Sequence, residues 1–418
     1  MITKLEAWAF KGLKKFIIWP QNINLLIGAN GTGKTNFADL IDFLSLTCRF
    51  GLKEAFDKHG GLDEVRTKLP GVGSPLSLHF SISLNSDAYR GIKDANYSFT
   101  ISRKGTLIVD SEELNATVYP RKAGRPTSQE KVKFDTTKPI GIRFKRRRNR
   151  IEDWSTETLG DKPKVAEDEQ NLILNIYGKL SNFRTIFDYL SAMRVYNIDA
   201  TLAKLSGNGN DTELERNGSN LVAFLKRVIE DEHMRNKLLN DLRNAVPYIK
   251  DIVPERILTY TTLRFTEADS KLDFRAQQMS DGTIRLLGLL AILRQTVPPT
   301  VVVIEEPENA LHSFAVRVFI QIAREVSAAQ KLPTQIFLTS HSSSVLDAVL
   351  SLEGQSEAHA QCFVTKRRKG SGTIEPVSKA VIQGIAKNLG RPSDFLRDGS
   401  FEDLPDQLEF SDETGRSL

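Results

Sequence analysis

The sequence predicts an α/β protein: a mixed or mostly parallel sheet with flanking helices, interrupted by a β-rich and then a helical insertion. Three observations predict it. First, the apolar run Ile23–Ile27 ends in a glycine-rich stretch. Apolar residues at helical spacing follow (Phe37, Leu40, Ile41, Leu44), so strand, tight loop and helix come in order. Second, two later apolar runs, Val301–Ile304 and Ile336–Leu338, have the length and composition of buried parallel strands. Third, the periodicity between these ends changes twice.

Leu76, Leu78, Phe80, Ile82 and Leu84 alternate with polar or small residues, as do Tyr97, Phe99 and Ile101, and Gly105 opens a turn into Leu107–Val109. Such period-two alternation marks half-buried antiparallel strands, so 51–167 reads as a β-rich lobe. Within it the chain from Pro120 to Pro163 turns polar and basic, which predicts long loops. Over 168–251 the period becomes helical: Leu172, Leu174, Ile176, Leu180, Phe183, Ile186, Phe187 and Leu190 fit one or two helices. Asn220–Ile229 and His233–Ala245 give two more, stopped by Pro247, and Gly207–Asp211 reads as a loop. The expected organisation is therefore a discontinuous core (1–50 and 252–390), the β-rich lobe, the helical insertion, and a tail over 391–418.

Composition narrows the function classes. In a chain of 418 residues, 40% hydrophobic and 26% charged residues exclude a disordered or collagenous protein. The longest nearly uninterrupted apolar run, Leu286–Leu293, falls short of the ~18 residues of a membrane span, and the first residues lack a signal peptide's apolar stretch. Cys48 and Cys362 lie 314 positions apart, so neither a disulfide framework nor a cysteine zinc site is legible, and a cytoplasmic location without a membrane partner is expected. The net charge of +5 is uneven. Eight acids and two bases between Asp394 and Arg416 give that tail −6 and leave +11 on the rest, a distribution that permits nucleic-acid binding.

Four motifs carry chemistry. Gly28–Thr35 matches G-x-x-x-x-G-K-[ST], whose glycines let backbone N–H groups curl around phosphates. Nucleotide contact is therefore assigned to Asn30, Gly31, Thr32, Gly33, Lys34, Thr35 and Asn36. Lys34 supplies the cation for the β- and γ-phosphates and Thr35 a hydroxyl for Mg²⁺. In Val301–Glu308, two carboxylates emerge at the C-terminal end of an apolar strand, where open α/β sheets bind ligands. By position Glu305 is assigned to magnesium and Glu306 to the attacking water. In Gln278–Thr283, Ser280 is a good helix N-cap, and Gly282 would keep the backbone open to an anion. The fourth, Ile336–His341, is an apolar strand ending in a histidine, with Ser342–Ser344 after it.

Together these resemble an ATP-binding-cassette (ABC) type ATPase head, within it the soluble SMC/RecF/OLD-like branch, and most closely bacterial AAA family or predicted-ATPase proteins. The resemblance rests on Phe10-Lys11, Gly28–Thr35, Ser280–Arg285, Glu305–His312 and Thr339–Ser342, in the family's order, and covers most of the chain. It implies a fold of P-loop ABC-type head with insertions, bound ATP and Mg²⁺, and ATP hydrolysis. It further implies that Ser280 and Gly282 form a signature motif contacting ATP on a second subunit, that His341 is a switch histidine sensing the γ-phosphate, and that Asn309–His312 cross between two sites. A homodimer or higher homo-oligomer follows from this sharing. Asp281, where the transporter signature has glycine, puts a carboxylate near an anion, and a glutamate replaces the commoner aspartate as magnesium residue. Arg194–Asn197 is the best position for a glutamine loop.

Proteins of this resemblance often act in anti-phage defence beside a separate effector, a nuclease or toxin. The alternatives are a RecF-like repair ATPase working directly on DNA and a nucleotide-dependent scaffold with negligible turnover. Arg143–Arg150 holds six basic residues in eight, and Lys366–Lys369 forms a second cluster. Either suits DNA or RNA phosphate contact without sequence specificity. Arg121–Pro126 is too short to count as a minor-groove hook. No nuclease constellation follows His341, so cleavage would need a partner protein.

Overall fold

A computed structural model describes residues 1–67, 77–85, 90–104, 106–121, 134–155, 169–180, 182–207, 213–268, 272–295, 297–329, 331–351, 359–368 and 370–377. The acidic tail, Gly105, most of Gly207–Asp211, most of Arg121–Pro126 and Lys369 lie outside the described residues.

The strands are β1 (Ile2–Phe10), β2 (Leu13–Ile18), β3 (Ile23–Ile27), β4 (Ser77–Asn85), β5 (Ile92–Lys104), β6 (Thr106–Val118), β7 (Ile140–Arg147), β8 (Arg150–Trp154), β9 (Arg194–Tyr196), β10 (Ile249–Ile257), β11 (Tyr260–Glu267), β12 (Asp273–Arg275), β13 (Val301–Glu305), β14 (Gln335–Ser340), β15 (Ala360–Arg368) and β16 (Ser371–Val377). Thirteen of them form one sheet in the order β8-β7-β6-β5-β4-β1-β2-β16-β15-β3-β14-β13-β9, and β10–β12 form a separate antiparallel sheet. The large sheet has two halves. From β8 to β2 every neighbour is antiparallel, whereas β15, β3, β14, β13 and β9 run parallel. The halves meet at β2 and β16, whose register contains the single pair Leu13↔Gly372.

Residues of the parallel strands alternate between two cores. Leu26, Val301, Val303, Phe337 and Phe363 face the Lys34–Phe50 helix, the Arg184–Ser191 helix and the β-rich lobe. Ile23, Leu25, Ile27, Val302, Ile304, Ile336 and Leu338 face the helices Leu221–Glu230, Glu232–Ala245, Asp281–Leu293 and Ser313–Ser327. Cβ atoms alternate across a strand, so a sheet covered on both faces needs unbroken apolar runs; that is why these runs lack the polar alternation of β4 and β5.

The lobe continues the same sheet, β4 pairing with β1, and departs from expectation in one respect. The basic run expected as a loop is instead the β7–β8 hairpin. Its side chains obey the strand period, with Phe144 and Arg146 fully buried while Arg143, Lys145 and Arg147 face outward. Arg146 lies 4.0 Å from the equally buried Glu112 and donates to the carbonyls of Asn171 at 2.7 Å and of Arg148. Glu112 accepts from the N–H groups of Ile173 (2.6 Å) and Leu174 (3.0 Å) and from the Tyr97 hydroxyl (2.8 Å). Burial pushes its carboxyl above the usual range, against those hydrogen bonds and the nearby guanidinium. A second arginine, Arg90, ties the lobe to the loops before β13 and β14, donating to the carbonyls of Pro298, Pro299, Leu332 and Pro333.

Candidate active site

Register places the motifs at one level. Ile27 pairs with Ser340, and Thr339 with Glu305. The glycine-rich loop after β3, the histidine after β14 and the two glutamates closing β13 therefore share the carboxyl edge of three adjacent parallel strands, where such sheets bind ligands.

In the loop, Gly33 caps the Lys34–Phe50 helix with φ 117°, a left-handed conformation open to glycine at no steric cost. Lys34 is buried and donates to the carbonyls of Gly28 (2.6 Å) and Ala29 (2.8 Å), so its ammonium folds onto the loop that would cradle phosphate. Asn30, Gly31 and Thr35 are exposed, and Asn36 is half-buried. The Thr32 side chain turns inward, bonded to the Thr365 hydroxyl at 2.6 Å and the Ala29 carbonyl at 2.8 Å, which leaves phosphate contact at that position to its backbone.

On the metal side, Glu305 is buried, with the Thr35 hydroxyl close enough to work against the rise that burial gives its pKa. Burial raises its pKa, offset by hydrogen bonds from Arg216 and Thr35. Arg216 lies 2.6 Å from Glu305 and 2.8 Å from Asp39, and Asp39 also accepts from Lys11 at 2.5 Å. Burial works against both charges of the Arg216–Asp39 pair. The hydrogen bonds outweigh it, holding Arg216 above and Asp39 below its ordinary range. A hydroxyl and a carboxylate are the hard oxygen donors magnesium takes when nucleotide phosphates and waters supply the rest. Among the described residues no group of three or more His, Cys, Asp or Glu could cage a metal.

On the water side, Glu306 has φ 46°, a left-handed conformation that costs a non-glycine residue about 1–3 kcal/mol. Hydrogen bonds on both its backbone and its side chain hold it. Its N–H donates to the Thr339 carbonyl at 2.9 Å, and Asn309 donates to its carboxylate at 2.7 Å. Arg285 donates to its carbonyl at 2.8 Å and to that of Glu305 at 3.3 Å, and also reaches the Ile198 carbonyl. His341 Nδ1 is 3.6 Å from Glu306 and 3.9 Å from Glu308, and the Ser340 hydroxyl donates to Glu308 at 2.6 Å.

The Ser280 segment reaches this edge through its neighbours. Ser280 Oγ accepts from the Thr283 N–H at 3.2 Å and caps the Asp281–Leu293 helix. Asp281, expected to burden an anion site with negative charge, pairs with Lys204 at 2.5 Å. Gly282 is required for a close approach within the chain: a Cβ there would lie 2.5 Å from the Ala310 carbonyl, beside the Asn309 that holds Glu306. Arg194–Tyr196 is the edge strand β9 beside β13, and Asn197 lines a cavity of about 760 Å³ with Asp199, Arg216, Asp281, Arg285 and Asn309.

Sequence reasoning missed Arg216, Asp39 and Lys204. Asp39 lies one helical turn after Thr35 on the same helix and was findable by spacing. Arg216 and Lys204 reach the site from loops, and only the fold brings them there.

Residues 23–347 match the family described as "AAA domain, putative AbiEii toxin, Type IV TA system". No curated protein matches. Among solved structures, an Smc head with an extended coiled coil, bound to the C-terminal domain of ScpA and derived from Pyrococcus furiosus, has TM-score 0.52 and 13% identity, covering 92% of this chain and 98% of that one. An SMC head bound to the C-winged helix domain of ScpA has TM-score 0.50 and 13% identity, covering 90% and 98%. At such identity the likeness shows the fold alone, a mixed α/β ABC-type ATPase head.

Proposed function

The chain belongs to this AAA-domain family, and we propose that it is a magnesium-dependent ATPase that pairs head to tail on ATP and works as a molecular switch gating a separate effector. The observation that carries the reading is the meeting of Thr35, Glu305, Glu306 and His341 at one edge of β3, β14 and β13. In this reading the backbone of Asn30–Gly33 cradles the phosphates. Lys34 leaves the Gly28 and Ala29 carbonyls for the β- and γ-phosphates, and Thr35 and Glu305 hold magnesium, which neutralises phosphate charge when bound. Glu306, fixed by Asn309 and Arg285, orients and polarises water, with His341 beside it to sense the same phosphate. Ser280 and Gly282 complete the site on a second copy, which makes the two sites two-fold related.

The family description links this domain to an AbiEii-type toxin and a toxin–antitoxin system, which supports a place beside an effector, and by analogy in anti-phage defence. Direct work on DNA is the weaker reading. The outward Arg143, Lys145, Arg147 and Arg148 lie 2.6–3.9 Å from Asp153, Glu113, Glu152 and Asp110, and Arg146 is inside. The run is thus largely neutralised internally, and phosphate would have to displace those partners. No helix among the described residues is long and apolar enough to cross a membrane.

Two inactive variants test the shared site. Lys34→Ala should lose ATP binding and Ser280→Arg should lose hydrolysis with ATP binding kept. Mixed together, half the dimers carry one complete site, so about a quarter of parental activity should return if sites act independently. Full activity of Ser280→Arg alone rules the shared site out, and unchanged ATP affinity of Lys34→Ala in a calorimetric titration rules out the phosphate loop.

A further inference from the structure

The metal-side carboxylates already hold a cation. Arg216 reaches in from the 213–219 segment and divides its terminal nitrogens between Glu305 at 2.6 Å and Asp39 at 2.8 Å, with Asp42 at 3.9 Å. Its backbone is tied down, since the Asn197 N–H donates to the Arg216 carbonyl at 2.7 Å and the Asp199 N–H to that of Asn217 at 2.9 Å. Three carboxylates, Asp39, Asp42 and Glu305, thus face Arg216, while Lys11 neutralises Asp39 from the other side. Glu305 is also the carboxylate that Thr35 reaches. A divalent ion between Thr35 and Glu305 would set two positive charges against a guanidinium within hydrogen-bond distance of the same carboxylate, in a site where burial weakens screening by water.

We propose that Arg216 is the resident counter-cation of this cluster and that it and a divalent ion exclude each other at Glu305. The nucleotide-free head then rejects free Mg²⁺. Metal enters only together with nucleotide, whose phosphates bring the negative charge and the oxygen ligands that release Glu305 from Arg216. This rests on the reading of Thr35 and Glu305 as the metal side of the site.

The test measures Mn²⁺ binding to the nucleotide-free full chain by the paramagnetic resonance signal of free Mn²⁺. The parent should bind weakly. Arg216→Gln should bind at least tenfold more tightly, Arg216→Lys should stay within about threefold of the parent, and Arg216→Gln combined with Glu305→Gln should lose the gain. No gain in a folded Arg216→Gln protein, or a gain that survives loss of Glu305, overturns the proposal. Micromolar Mn²⁺ binding by the parent overturns it as well, whatever the variants do. ATP titration in EDTA reads the phosphate loop separately. A chain that gains Mn²⁺ as stated yet never binds ATP overturns the ATPase reading, whereas one that binds ATP but gains no Mn²⁺ overturns the role of Arg216.

Discussion

The parallel and antiparallel halves of the sheet use polar residues in opposite ways. In the parallel half the strand centres are sealed by helices on both faces, and charge appears where β13 and β14 end, at Glu305, Glu306 and His341. In the antiparallel half charge is spread along the strands and consumed there, as with Arg143 on Asp153 and Lys145 on Glu113. Two arginines make the contrast. Arg146 and Glu112 are both fully buried and serve packing. Arg216 stays partly exposed and bridges carboxylates at the edge where ligand would sit. A charge therefore takes its meaning from whether its partner lies along a strand, as for Arg146, or at a strand's end, as for Arg216.

The comparison can be broken, beginning with its largest expected effect. Arg146→Ala leaves Glu112 buried without its cation, a loss that typically costs about 3–5 kcal/mol. Denaturant unfolding should show it, while ATP affinity of the folded fraction stays within twofold. An equal loss of affinity would mean that the halves are not separable. Glu306→Gln should lower hydrolysis by on the order of 10²-fold or more with stability unchanged. Phosphate release and ATP titration check it, and parental turnover would exchange the roles of Glu305 and Glu306.

Smaller effects sharpen the same contrast. Gly282→Ala drives a methyl toward the Ala310 carbonyl and should cost about 1–3 kcal/mol. Because Asn309 moves with Ala310, hydrolysis should fall while ATP binding holds; a melt and a turnover assay on the same sample separate the two. Replacing Arg143 and Arg147 together with serine should change stability by no more than about 0.5 kcal/mol per site. It should leave turnover unaltered whether or not DNA is added, and a DNA-dependent rate lost in this variant would restore the nucleic-acid reading.

Legibility in the sequence followed the same division. Val301–Ile304 and Ile336–Leu338 were readable because a strand buried on both faces leaves an unbroken apolar run, and Ile23–Ile27 was readable because only the buried Asn24 interrupts it. The glycine-rich loop was readable because few residues can bend that way. The β7–β8 hairpin was not, since six basic residues in eight look solvated until Glu112 is known to lie beneath Arg146. The carboxylates at the end of β13 could be read from their strand, whereas the guanidinium that meets Glu305 could not. Arg216 lies 89 positions away, and nothing local marks a side chain whose partner is set by tertiary structure.

The join between the halves has a mechanical consequence. Other neighbouring strands of the sheet share three or more register pairs, but β2 and β16 share the one pair Leu13↔Gly372. A twisting load across thirteen strands is resisted least where the lacing is thinnest, so that line acts as a crease. The glycine-rich loop lies directly on it. A Cβ on Gly33 would be 3.0 Å from Leu13 and 3.9 Å from Gly372, and one on Gly372 would lie 2.6 Å from the Thr32 carbonyl. A loop that tightened there would bear on both margins of the crease at once, with the lobe as a long arm on one of them.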